Sequence, residues 1–98
     1  MRPVFGTTTI TTAGTEQQIT ASAGIKVKAL LFKARVQNTG YIYVGHSSAV
    51  TATNGLQLSA GESVSMDFGE KGTEHVDVFY VDCSVNGERV DWVFIYEI

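Results

Sequence analysis

Short apolar runs that are broken by glycine and asparagine dominate this sequence. They recur about every 8 to 12 residues, a spacing typical of an antiparallel sandwich or barrel, and no segment keeps a helical repeat of apolar residues over three turns. The pattern predicts an all-β fold, an antiparallel β-sandwich of about eight strands that is jelly-roll-like. The predicted strands are 4–12, 16–21, 25–36, 41–45, 50–53, 62–68, 76–83 and 90–97.

Composition supports this fold class. Threonine, valine, isoleucine and the aromatic residues supply 39 of the 98 residues, whereas leucine supplies only 4. A hydrophobic fraction of 44% and a charged fraction of 17% exclude a disordered chain, and no apolar run approaches the ~20 residues of a membrane-spanning helix. The length predicts one domain over residues 1–98, with residues 1–20 as an edge strand or an extended arm.

Turns and strand phase give more local predictions. Hairpin turns are predicted at Asn38-Thr39-Gly40, Asn54-Gly55 and Asn86-Gly87, because asparagine and glycine tolerate the positive φ of tight turns. In the run 25–36 the charges move from even to odd positions near residues 30–32, which predicts a β-bulge there. The alternative is an unbroken strand with Leu30 and Phe32 facing another subunit. A ladder that continues without a break through residues 30–32 would refute the bulge.

The run Trp92-Val93-Phe94-Ile95-Tyr96 has no polar face. A small domain covers only about 60 to 65% of the surface that its unfolded chain exposes, so burying all five side chains within one monomer is difficult. Self-association into a homo-oligomer is therefore expected. Tyr41 and Tyr43 add large side chains that suit an interface.

Charge is unevenly distributed along the chain. Residues 1–61 carry five basic side chains against one acidic side chain, and residues 62–98 carry two basic side chains against nine acidic ones, which gives the net charge of −3. A chain of this charge has little to bind phosphates, so no nucleic-acid partner is expected. The two halves either form differently solvated faces or attract neighbouring copies if folding leaves them on different faces.

No pattern of catalytic or metal-ligating residues emerges. His46 and His75 adjoin no nucleophile motif, and Cys83 lies in an apolar and acidic strand where its pKa is expected to rise. Two histidines and one cysteine form no zinc pattern. The acids Asp77 and Asp82 are expected to be solvated or paired with basic residues of 26–35. The sequence therefore predicts no enzyme, no metal site and no cofactor.

Four segments together resemble a known group of proteins. They are TITTAGTEQQI (9–19), NTGYIYVG (38–45), NGLQLSAGESV (54–64) and VFYVD (78–82). In this order they resemble the small β-sandwich virion structural proteins of tailed bacteriophages. The resemblance implies a capsid decoration, or cement, protein that binds the major capsid protein or other virion proteins and stabilises the head lattice. The implied location is the virion, after synthesis in the host cytoplasm, since the N-terminus lacks the apolar core of a secretory signal.

Two alternatives stay open. One is a tail or neck component built on the same sandwich, and the other is a receptor- or carbohydrate-binding module with Tyr41, Tyr43, Trp92 or His46 as a stacking platform. For the decoration protein, the candidate interface residues are large apolar or basic side chains on the predicted strands: Phe5, Leu30, Phe32, Lys33, Arg35, Tyr41, Tyr43 and Trp92.

Overall fold

The computed structural model describes residues 2–19, 25–46, 54–68, 74–75 and 78–96. These ranges form nine strands and no α-helix. The strands are β1 (Arg2–Ile10), β2 (Gln17–Gln18), β3 (Lys26–Ala34), β4 (Ile42–His46), β5 (Leu56–Leu58), β6 (Ser63–Asp67), β7 (Glu74–His75), β8 (Phe79–Cys83) and β9 (Glu88–Tyr96).

The strands form two antiparallel sheets. The larger sheet has the order β1-β9-β3-β6, with β7 also pairing with β3, and the smaller sheet has the order β2-β8-β4-β5. Every connection crosses from one sheet to the other except those from β4 to β5 and from β6 to β7. Two four-strand paths wound in this way form a jelly roll. The predicted all-β sandwich is confirmed.

Alternating side chains fill the space between the sheets. On β9 the residues at even positions point inward, so Val90 and Phe94 are buried while Val93 and Ile95 face outward. The ring centroids of Phe32 on β3 and Phe79 on β8 lie 6.0 Å apart and join the two sheets. The other buried apolar residues are Ile10, Ile19, Val27, Leu30, Ala34, Ile42, Tyr43, Val44, Leu58, Val81 and Cys83.

The bulge of β3 lies elsewhere than predicted. Residues 30–32 pair without a break, with Leu31 opposite Val93 of β9, and the register shifts instead between Val27 and Ala29. The prediction of a bulge near residues 30–32 was therefore wrong. The extra residue, Lys28, allows Val27 and Leu30 to face the core although they stand three positions apart, and it turns Leu31 outward.

Two of the three predicted hairpin turns join different sheets. Asn38-Thr39-Gly40 leads from β3 to β4, and Asn86-Gly87 leads from β8 to β9. Gly87 does have a positive φ of 84°, but a crossing between sheets needs that conformation as much as a hairpin does. Asn54-Gly55 precedes β5, which pairs with β4. The predicted strand 50–53 lies outside the described residues.

Charged residues from the two oppositely charged halves of the sequence meet on the larger sheet. The basic strand β3 lies between β9 and β6, both from the acidic half, and Lys33 is directly opposite Asp91. The charges are therefore interleaved along the larger sheet rather than separated onto different faces.

Candidate functional site

The outward face of the larger sheet carries a contiguous group of apolar side chains. Register brings them together in two rows across β1, β9 and β3, because Phe5 and Leu31 are both opposite Val93, and Pro3 and Ala29 are both opposite Ile95. We call these six residues the apolar patch: Pro3, Phe5, Ala29, Leu31, Val93 and Ile95. Three separate segments of the chain therefore contribute to one surface.

The apolar patch is partly open to solvent. The Phe5 side chain is 76% exposed, and Leu31, Val93 and Ile95 are each half-buried by their neighbours in the sheet. A shallow depression of about 240 Å³ lies in the patch, lined by Ala29, Leu31, Val93 and Ile95 together with residues of β6. Contiguous, partly exposed apolar surface makes this face the candidate binding surface among the described residues.

A polar cluster borders the apolar patch at the next row of the sheet. The Arg35 Nε donates to both Asp91 carboxylate oxygens at 2.9 and 3.1 Å, and the Thr7 hydroxyl donates to Asp91 Oδ1 at 2.6 Å. Burial alone would raise the pKa of Asp91, but the hydrogen bonds from Thr7 and Arg35 and the charges of Arg35 and Lys33 lower it below its usual 3.8. The carboxylate is thus held ionised beside the patch.

Basic side chains give this border a positive excess. Lys33 and Arg89 are exposed on the outward face, and Arg35 is partly exposed while it binds Asp91. With one acidic and three basic groups, this side of the apolar patch differs in sign from the chain as a whole, which carries −3. On another side, the exposed Asp67 of β6 stands opposite Ala29. A partner whose apolar surface has an acidic margin where it meets the basic side would match this arrangement.

The candidate interface residues fall into three groups. Phe5, Lys33 and Arg35 lie on the outward face just described. Tyr41 lies in the connection from β3 to β4 and is 42% exposed. The remaining four residues are partly or fully buried: Leu30, Phe32, Tyr43 and Trp92.

The four buried candidates are held by the monomer itself. Leu30 and Phe32 are 2% and 0% exposed within the core, so the folded chain does not offer them to another subunit. Trp92 points inward, donates from Nε1 to the Thr8 hydroxyl at 3.0 Å and stacks on Phe94. Tyr43 is 6% exposed.

Sequence reasoning did not single out five of the six patch residues. Val93 and Ile95 belong to the two-sided apolar run that predicted self-association, so that signal was present. Leu31 was missed because the position of the bulge decides which neighbouring leucine faces outward. Pro3 and Ala29 carry no sequence signal of their own and join the patch only through strand register.

Two buried carboxylates organise loops. Glu88, 5% exposed, accepts from the backbone N–H groups of Thr39 and Gly40 at 2.9 and 2.5 Å. Asp82, 3% exposed, accepts from the backbone N–H groups of Gly14 and Cys83 at 3.0 and 2.8 Å. The expectation that Asp82 is solvated or paired with a basic residue was therefore wrong, because backbone donors satisfy it. The same expectation for Asp77 falls outside the described residues.

Reactive and metal-ligating side chains do not assemble into a site within the described ranges. No three of the His, Cys, Asp and Glu residues in those ranges lie close enough to hold a metal ion. Burial and the neighbouring Asp82 raise the pKa of the Cys83 thiol, which confirms the expected direction. His46 packs edge-on against Phe79 at 5.8 Å. In the same ranges, no helix has the length and apolar character needed to span a membrane.

Comparison with known proteins adds no relative. The chain matches no protein-family model, no curated protein sequence and no solved structure.

Proposed function

We propose that this chain belongs to the class of adhesive structural proteins, which act by binding other proteins through a surface rather than by a reaction. Within that class it is a virion structural protein of a tailed bacteriophage, and specifically a decoration protein on the capsid. The apolar patch is the observation that carries the proposal. The resemblance of the four sequence segments to small phage virion proteins supports the assignment to a virion.

The mechanism is the burial of the apolar patch against capsid protein. Each partly exposed patch side chain that becomes fully buried contributes up to about 1 kcal/mol, and Phe5 contributes more. The basic border orients the contact toward an acidic rim on the partner. Many copies on one lattice add their modest contacts, so the shell gains resistance to internal pressure although each contact is small.

The two alternative functions differ in how the patch and the aromatic residues are used. A tail or neck component would use the same patch in a handful of copies, so copy number per particle separates it from a decoration protein. The sugar-binding module receives less support, because Tyr43 is buried and Trp92 points into the core, which leaves only Tyr41 and His46 exposed among its four candidate rings. An aromatic platform would need those rings to be open to solvent.

The test uses particles produced without this chain and purified protein added back. The wild-type protein should co-sediment with such particles in hundreds of copies and raise their resistance to heat and osmotic shock. Leu31→Lys and Ile95→Lys each place a charge in the apolar patch, and each should weaken binding on the order of tenfold. Circular dichroism of each variant verifies that the sandwich is intact.

The matched control is Gln57→Lys. Gln57 is exposed on β5 in the smaller sheet, so this variant adds the same charge away from the patch and should bind as the wild type does. Equal resistance of particles with and without the chain would overturn the decoration role. Equal binding by Leu31→Lys and Gln57→Lys would overturn the assignment of the contact to the apolar patch.

A further inference from the structure

The edge strands of the two sheets, as far as the structure describes them, differ in length. The smaller sheet ends in β2 and β5, of two and three residues, and one edge of the larger sheet is formed by β6 and β7, of five and two residues. The opposite edge of the larger sheet is β1, with nine residues. β1 pairs with β9 along its whole length, and no described strand pairs with its other side.

Proteins protect their sheet edges from pairing with other chains by short strands, charged side chains or bulges. The edges β2, β5 and β7 are short, and β6 carries the exposed Asp67. β1 has none of these features between residues 3 and 10, because that stretch carries no charge and its register with β9 contains no shift. Pro3 interrupts it only at one end.

The backbone groups on the open side of β1 can be identified. The Ile10 carbonyl accepts from the Gly87 N–H at 2.8 Å and so faces β9. Backbone groups alternate sides along a strand, so odd-numbered residues point their N–H and C=O groups away from β9. Pro3, which has no N–H, is among them, as expected for proline on an edge strand. Phe5, Thr7 and Thr9 therefore offer donors and acceptors that no other described strand takes up.

We propose that two copies of this chain pair through β1, antiparallel and related by a two-fold axis at Thr7. An antiparallel strand is complementary to itself, so one edge can serve both copies. The absence of charge from residues 3–10 removes like-charge repulsion between the two edge strands, and β-branched residues such as threonine favour the extended backbone of a strand. The axis at Thr7 places Phe5 opposite Thr9 of the second copy and leaves Pro3 outside the ladder.

The dimer would display two apolar patches on one side. Pairing of β1 with β1 makes one continuous sheet from the two larger sheets, and the two-fold axis keeps both outward faces on the same side. Two linked patches bind a lattice with an avidity that exceeds that of either alone. The dimer itself does not depend on the proposed binding partner.

Sedimentation equilibrium of the full chain tests the proposal. The wild type should change from monomer to dimer as its concentration rises. Thr7→Lys brings two lysines face to face at the axis and should weaken the dimer on the order of tenfold or more. Thr7→Val is the matched control, because it also loses the hydroxyl bonded to Asp91 but adds no charge, and it should dimerise as the wild type does.

Hydrogen exchange of backbone amides provides the second readout. The amides of Phe5, Thr7 and Thr9 should become more protected as concentration rises, while those of Val4 and Thr8, bonded to β9, stay protected throughout. A chain that is monomeric up to millimolar concentration would overturn the proposal. A dimer that Leu31→Lys abolishes and Thr7→Lys leaves intact would also overturn it, because the contact would then be the sheet face and not its edge.

Discussion

Gly6→Ala is the substitution whose effect follows most directly from the structure. Gly6 lies opposite Trp92 in the pairing of β1 with β9, and the indole occupies the space that a Cβ at Gly6 would need. A Cβ at Gly6 would meet Trp92 Cζ2 most closely and would lie 2.5 Å from Cη2 and 2.8 Å from Cε2. Carbon atoms in contact normally stand about 3.5–4.0 Å apart, so the ring must move by about 1 Å.

The cost of that movement can be worked out from what the ring contacts. Displacement weakens the hydrogen bond from Trp92 Nε1 to the Thr8 hydroxyl, 3.0 Å long, which contributes about 1 kcal/mol. It also disturbs the stacking of Trp92 on Phe94, whose ring centroids lie 5.6 Å apart. Inserting a methyl group into a packed core costs about 1–3 kcal/mol. Alanine restricts the unfolded chain more than glycine and recovers about 0.5–1 kcal/mol. Because the losses overlap, we expect a net destabilisation of about 2–3 kcal/mol.

The assay is urea unfolding followed by circular dichroism in two backgrounds. In the wild type, Gly6→Ala should lower the free energy of unfolding by the amount just given. In Trp92→Phe the smaller ring leaves room for the new methyl group, so the same substitution should cost less than about 1 kcal/mol. An equal cost in both backgrounds would show that the clash with the indole is not the cause.

Three other expectations concern titratable side chains that are buried or partly buried: Glu88, Asp91 and Cys83. Glu88→Ala leaves the donors of the 39–40 turn without their acceptor and should destabilise the fold by about 2–3 kcal/mol in urea unfolding, whereas Glu88→Gln should cost less. The folded-state pKa of Asp91 is below the unfolded value, so the stabilising contribution of its carboxylate is present above pH 3.8 and is lost as pH falls through the lower folded pKa. The difference in free energy of unfolding between wild type and Asp91→Asn should therefore shrink over that pH range. The raised pKa and burial of Cys83 should make its alkylation near pH 8 slower in the native protein than in urea, and equal rates would contradict the buried position.

The fold class was predictable because strand alternation is a local property. In β6, Ser63, Ser65 and Asp67 are exposed while Val64 and Met66 are partly buried, as the alternation of polar and apolar residues indicates. The order of the strands in the two sheets was harder to predict from the sequence. An Asn-Gly pair marks a change of direction but does not say whether the next strand pairs with the last one or enters the other sheet, and at Asn86-Gly87 it enters the other sheet.

The candidate site was only partly predictable, since it depends on where β3 bulges. A shift of one residue in register moves every following side chain to the other face. With the bulge at Lys28, Leu30 is in the core and Leu31 is in the apolar patch. Tyr43 shows a second limit of prediction from sequence. Its burial depends on what surrounds it in three dimensions and not on the alternation of its own strand.

The boundary of the apolar patch supports the proposal that a partner protein covers it. The same three strands form two adjacent rows on the outward face, one apolar and one polar. The apolar row is Phe5, Val93 and Leu31, and the polar row is Thr7, Asp91 and Lys33. A face that only meets water has no reason to change character between neighbouring rows, because outward positions on one sheet share the same solvent. The change is explained if a partner rests on the first row and ends at the second, where charged groups keep their water and meet the partner's rim.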